Sequence, residues 1–288
     1  MEPRVQRRVQ RYGWDLAAED YERLWQAQLA RAQSRLLDCA WPVRGERVLD
    51  VACGTGLVSL AAAASVRPEG HVIGVDISER MVDRARIRAK DRNVSNVTFE
   101  RMGAENLDLP DAAFDVVLCS LGLMYVPDSA RALREMARVL RPGGRIALAV
   151  WGERERCGWS SVFPIVNAEV ASDVCPLFFS LGAEGALARE CADAGFASIE
   201  EYRIDTTLDY ADLDEACQAA LIGGPVALAW SRFDEALRAK VWRRYADSIA
   251  KWRHGEGYRI PGEFVVVRAV APATARSPVV STLERAET

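Results

Sequence analysis

Val48-Leu49-Asp50-Val51-Ala52-Cys53-Gly54-Thr55-Gly56 is answered downstream by Val72-Ile73-Gly74-Val75-Asp76. Each is an apolar run of strand character that carries a carboxylate at or near its end, and a glycine turn separates them. Asp76 follows Gly56 by 20 positions. A strand, a crossover helix and the next parallel strand need about thirty residues, and an acid at this point stands where a ribose would sit. The stretch therefore predicts a parallel βαβ unit that receives an adenosine-containing cofactor.

The 288 residues suffice for one large α/β domain with an elaborated lid. A net charge of −4 and a pI near 5.5 argue against a nucleic-acid partner, whose phosphates would demand a basic face. Arg4, Arg7, Arg8 and Arg11 make a short basic run that reads as a solvated face. No apolar run is long enough to span a bilayer, and residues 1–13 lack the core of a signal peptide. The seven cysteines are scattered without a C-x-x-C pair, so neither a metal site nor a dithiol motif is expected. Reduced thiols used as small apolar residues fit a cytoplasmic enzyme.

Period-3.6 and period-2 patterning organise the rest. Asp15 to Ala40 reads as one helix, and residues 1–43 as an N-terminal helical cap. Residues 44–210 read as a cofactor-binding α/β core. Strands are expected over Arg47 to Val51, His71 to Val75, Val97 to Arg101, Phe114 to Cys119 and Arg145 to Trp151, with helices alternating between them. Ser78 is placed to cap the helix Glu79 to Asp91. Such alternation demands a parallel sheet covered on both faces. Residues 153–185 form an irregular insert, and Ser198 to Leu208 a sixth strand. Residues 211–256 read as a helical lid insert, 257–270 as the last strand of the core, and 271–288 as a disordered tail.

Gly54 and Gly56 let backbone approach a ligand more closely than a Cβ would allow. The helix that opens after them offers free N–H groups and a positive dipole end. A dinucleotide fold would carry a third glycine near Ser59 to receive a pyrophosphate, and Asp50 would repel that group. A ligand with an amino group and a sulfonium charge suits Asp50 better. Asp76 can accept hydrogen bonds from both hydroxyls of a ribose, and Ile77 offers an apolar face to adenine.

Leu49-Asp50-Val51-Ala52-Cys53-Gly54-Thr55-Gly56, Gly74-Val75-Asp76-Ile77-Ser78, Gly103-Ala104-Glu105-Asn106-Leu107-Asp108-Leu109-Pro110, Phe114-Asp115-Val116-Val117-Leu118-Cys119 and Val139-Leu140-Arg141-Pro142-Gly143-Gly144-Arg145 occur in this order. Together they resemble the class I S-adenosylmethionine-dependent methyltransferases, in particular the ubiquinone/menaquinone-biosynthesis subgroup. The resemblance covers about Arg44 to Val150. It implies a Rossmann-like seven-stranded sheet with helices on both faces, ending in an antiparallel strand that Phe264 to Ala269 could supply. It implies that Asp50, Ala52, Gly54 and Gly56 line the methionine moiety of S-adenosylmethionine and that Asp76 and Ile77 take ribose and adenine. Ala104 and Glu105 would meet the adenine edge, and Cys119, Ser120 and Leu121 would lie near the sulfur.

In-line methyl transfer asks little of side chains beyond positioning and water exclusion, and no catalytic base is marked. Tyr125, Trp151 and His254 are the candidate contacts for a small aromatic or apolar acceptor. Trp14, Tyr21 and Trp25 precede the core and could cover the sulfonium. Trp159, Phe163, Phe178 and Phe179 could form the acceptor pocket or a satellite core. Two other readings stay open on the sequence: a nucleotide-binding oxidoreductase, and a non-catalytic S-adenosylmethionine-binding partner protein.

Overall fold

The computed structural model describes residues 2–171, 175 and 177–272. Its centre is a sheet in the order β3-β2-β1-β4-β5-β8-β6. The strands are β1 (Arg47–Val51), β2 (His71–Asp76), β3 (Val97–Arg101), β4 (Phe114–Ser120), β5 (Leu140–Trp151), β6 (Ala197–Tyr210) and β8 (Gly257–Val270). A two-residue strand, β7 (Arg253–His254), hairpins onto β8 and brings the sheet to eight strands. β1 to β5 pair in parallel, while β8 runs antiparallel to both β5 and β6. Val265 to Ala269 of β8 lie opposite Val150 to Ile146 of β5, so the expected antiparallel closing strand is present.

Strand periodicity divides the core in two. Val48, Val72, Val116, Leu118 and Ala147 point to the face covered by α3 (Leu57–Val66) and α4 (Glu79–Asp91). Leu49, Val51, Val117, Ile146 and Leu148 point to the other, where α5 (Ser129–Val139) packs Leu133 and Met136. Each such fully buried aliphatic contributes ~1.5–3 kcal/mol. Phe99 of β3 lies beneath the cofactor turn. A Cβ on Gly74 would fall 2.6 Å from its ring and one on Gly56 3.0 Å from it. Ser78 caps α4 as expected, accepting the Met81 N–H at 3.1 Å.

Three expectations differ from the structure. The single helix from Asp15 to Ala40 is two, α1 (Pro3–Ala17) and α2 (Tyr21–Ala40). Residues 18–20 contain neither Gly nor Pro, so no local breaker marks the bend. Instead the helices have different partners: α1 packs on α4 and on α9 (Ala227–Arg232), α2 on β4, β5 and β8. Strand and helix do not alternate throughout, because β3 reaches β4 through an irregular link with a Gly103–Asn106 bridge. β5 begins at Leu140, ahead of the glycines, and its ladder with β4 is interrupted between Phe114 and Val116. The segment 211–256 is mostly helical. After α8 (Leu213–Leu221), α9 and α10 (Glu235–Ile249) it ends in β7. Short helical turns and α6 (Val162–Asn167) occupy the irregular insert, α7 (Ala186–Asp193) precedes β6, and most of the tail expected over 271–288 lies outside the described residues. Among the described residues, no helix is long and apolar enough to cross a membrane.

Candidate functional site

The carboxyl ends of β1, β2 and β4 open onto one cleft of about 760 Å³, where an open parallel sheet is expected to bind its ligand. Two loops form its floor by meeting head-on. Ala52 after β1 and Leu121 after β4 both take left-handed backbone conformations, each with φ of 58°. Gly122 beside Leu121 lies so close to Ala52 that an added Cβ would stand 2.3 Å from the Ala52 Cβ. Gly54 follows with φ of 53°, and its N–H is turned towards β2.

That N–H donates to Asp76 Oδ2 at 2.9 Å, and the Ser78 N–H donates to Asp76 Oδ1 at 2.9 Å. Each carboxylate oxygen thus has one backbone donor and keeps a lone pair for another. Burial holds the Asp76 carboxyl up at about 6, against the lowering effect of those two N–H groups. Ile77, Met102 and Ala104 flank it as an apolar wall. Glu105 is buried at the rim, and Arg7 of α1 grips both of its oxygens at 3.0 Å. Among the described residues, buried Ser120 Oγ has no hydrogen-bond partner.

α1 closes the cleft from above. Gln10 and Trp14 line it, and the helix is fastened by Asp15 Oδ1, which accepts the Ser78 hydroxyl at 2.6 Å. A second cavity of about 300 Å³ adjoins the first and shares Trp14, Tyr21, Leu121 and Tyr125 with it. Trp25, Trp151 and Trp159 wall it, with ring centroids 4.9–6.1 Å apart in edge-on arrangements. Its lining carries no charged side chain. Trp159 Nε1 is buried and has no partner among the described residues, whereas Trp25 Nε1 donates to the Ala219 carbonyl at 3.2 Å. Burial also raises the Tyr21 and Tyr125 hydroxyls well above the usual tyrosine range.

Ala52, Gly54, Asp76, Ile77, Ala104, Glu105, Ser120, Leu121 and Tyr125 therefore come together on the first cleft, and Trp151 stands in the second. Four expected residues do not line either. Asp50 alternates to the α3 face of β1, where its Oδ2 accepts the Ser59 hydroxyl at 2.5 Å and its Oδ1 has no partner among the described residues. Burial pushes its carboxyl up to about 7. Gly56 caps α3 over Phe99, behind the turn. Cys119 is sealed in the core, and burial lifts its thiol to about 12. His254 is exposed on the β7 hairpin. Arg7, Gln10, Met81, Met102 and Gly122 line the cleft without having been expected there. Only Arg7 and Gln10 left a trace in the sequence, as polar positions three apart on the helix that precedes the core.

Residues 42–169 match the family model for a methyltransferase domain. A demethylmenaquinone methyltransferase of Listeria welshimeri is 42% identical over 120 residues, covering 42% of this chain and 51% of that one. An aklanonic acid methyltransferase of a Streptomyces species is 38% identical over 134 residues, covering 46% and 61%. The chain thus spans about half the length of the curated relatives it matches. A solved structure of a putative methyltransferase from Bacillus halodurans shares the fold, with TM-score 0.58 and 19% identity over 83% of this chain and 98% of that one. Sheet order and matched segment agree: over residues 42–169 the chain is similar in sequence to a methyltransferase domain, and its fold is shared with a solved putative methyltransferase.

Proposed function

We propose that the protein binds S-adenosylmethionine in the first cleft and transfers its methyl group to a small aromatic or apolar molecule held in the second. The observation that carries this reading is the shared wall: Leu121 and Tyr125 border both cavities, so a donor and an acceptor would meet across them. The cleft fits the cofactor in chemistry. Asp76 has lone pairs for two ribose hydroxyls, Ile77 and Met102 suit adenine, and Ser120 Oγ is an orphaned polar atom in want of a partner. Bound there, the cofactor supplies an electrophilic methyl on a sulfonium.

The chain's own residues do three things. Asp76, Gly54 and Glu105 orient the donor, α1 and its Trp14 exclude water, and the tryptophan walls hold the acceptor in line. Asp50 acts from behind the turn, through the Ser59 hydrogen bond and the field of its carboxylate, rather than by contact. The seven unbridged, buried cysteines suit a reducing, cytoplasmic setting.

Calorimetry with S-adenosylhomocysteine and with NAD tests the donor assignment, and transfer of labelled methyl to a panel of planar phenols and quinones tests the acceptor. Binding of the first ligand alone, with turnover of an aromatic acceptor, is expected. NAD binding instead would move the chain to the oxidoreductases. Cofactor binding without turnover on any acceptor would leave a non-catalytic binding protein.

A further inference from the structure

Arg4, Arg7, Arg8 and Arg11 stand at i, i+3, i+4 and i+7, the spacing that puts side chains on one helix face. In most helices that stripe is apolar and faces the core. Here it faces a concave cleft of about 1040 Å³ beside the cofactor site, completed by Arg101 at the end of β3. The cleft shares Arg7, Ile77, Met102 and Gly103 with the cofactor cleft, and among the described residues no acidic side chain lines it.

The guanidinium groups are poorly matched by carboxylates. Arg7 is held by Glu105, and Arg101 reaches Glu79 only at 3.7 Å. Arg11 rests over the Tyr12 ring, and among the described residues Arg4 and Arg8 have neither an ion pair nor a side-chain hydrogen bond. Like charges four apart oppose helix formation. In a chain whose net charge is −4, this concentration of positive charge on one wall is a local exception.

We propose that the cleft is a binding site for a compact phosphate-bearing anion, adjoining the methyl-transfer site. Guanidinium forks match phosphate oxygens in pairs, and several on one concave wall surround a tetrahedral or oligomeric phosphate as no single lysine could. A soluble oligophosphate and the head of an anionic lipid present the same chemistry.

The test uses the full chain, with tripolyphosphate in calorimetry and with phosphatidylglycerol or phosphatidylcholine vesicles in flotation. Wild type is expected to bind tripolyphosphate saturably. The Arg4→Gln/Arg8→Gln double variant should weaken that by about tenfold or more, with S-adenosylhomocysteine affinity unchanged. Binding confined to phosphatidylglycerol vesicles, and lost in the same variant, supports the site with lipid as the phosphate source. The exposed pair Arg84→Gln/Arg92→Gln, on α4 and at its C-terminal cap, is the charge-matched control. Absence of binding to either form, or an equal loss in the control pair, overturns the proposal.

Discussion

The Gly54 backbone N–H donates to Asp76 Oδ2 at 2.9 Å, tying the turn after β1 to the acid that ends β2. The two segments that opened the sequence reading are thus one structural unit. Asp76 holds the turn in shape and presents its remaining lone pairs to the cleft.

Replacing Asp76 by Ala should weaken S-adenosylhomocysteine binding roughly tenfold or more, since hydrogen bonds to a charged acceptor contribute ~1.5–3 kcal/mol. Calorimetry checks this, and unchanged affinity would remove Asp76 from the ribose site.

Acid dependence follows from the same group. Burial raises the folded-state carboxyls of Asp76 to about 6 and Asp50 to about 7, whereas the unfolded chain releases those protons near pH ~4. Between these limits the folded state binds more protons, so the ligand-free protein should lose stability as pH rises from about 4 to about 7 and level off above. Cofactor affinity should run the other way and climb as Asp76 ionises around 6. Dissociation constants from pH 5 to 8 measure it, and Asp76→Asn should flatten the profile.

Ser59→Ala removes the hydroxyl that donates to Asp50 Oδ2 and leaves the Ser59 backbone N–H as its partner. Losing one hydrogen bond to a buried acid costs about 1–3 kcal/mol. Chemical denaturation should register a loss of that size. Ser59→Gly restores the third glycine of a dinucleotide turn, yet it should show the same loss and gain no NAD binding.

Gly122→Ala drives a Cβ to 2.3 Å from that of Ala52. Overpacking of this kind costs about 1–3 kcal/mol. Because the two loops are the cleft floor, the variant should lose cofactor affinity together with melting temperature. A variant that melts lower but binds normally would show that the floor is not part of the site.

The cofactor half was legible because its signals are local. Period-2 runs marked β1 to β4, glycines marked the turn, and Ser78 marked the start of α4. Asp76 could be placed at the carboxyl end of its strand by counting, and Ala52, Glu105 and Leu121 through the family resemblance. Asp50 shows where counting stops, since one step along a strand turns a side chain to the opposite face. α1 escaped because its stripe is arginine, and patterning searches for apolar faces. The break between α1 and α2 has no local chemistry at all and follows from what each helix packs against. His254 was marked by residue type, but its hairpin points it to solvent. The tryptophan cavity joins α2, β5 and the irregular insert, residues more than a hundred positions apart, and no spacing rule reaches that far.

Phe99, lying under Gly56 and Gly74, gives the turn one last property. The two glycines come from different strand–turn units, and a single ring from a third makes both of them obligatory. Ser59 Oγ, the partner of Asp50, also stands 3.0 Å from where a Gly74 Cβ would be. The glycine turn is therefore not portable. A sheet that borrowed residues 50–59 without Gly74 and Phe99 would inherit the ligand signature and lose the space that lets it form.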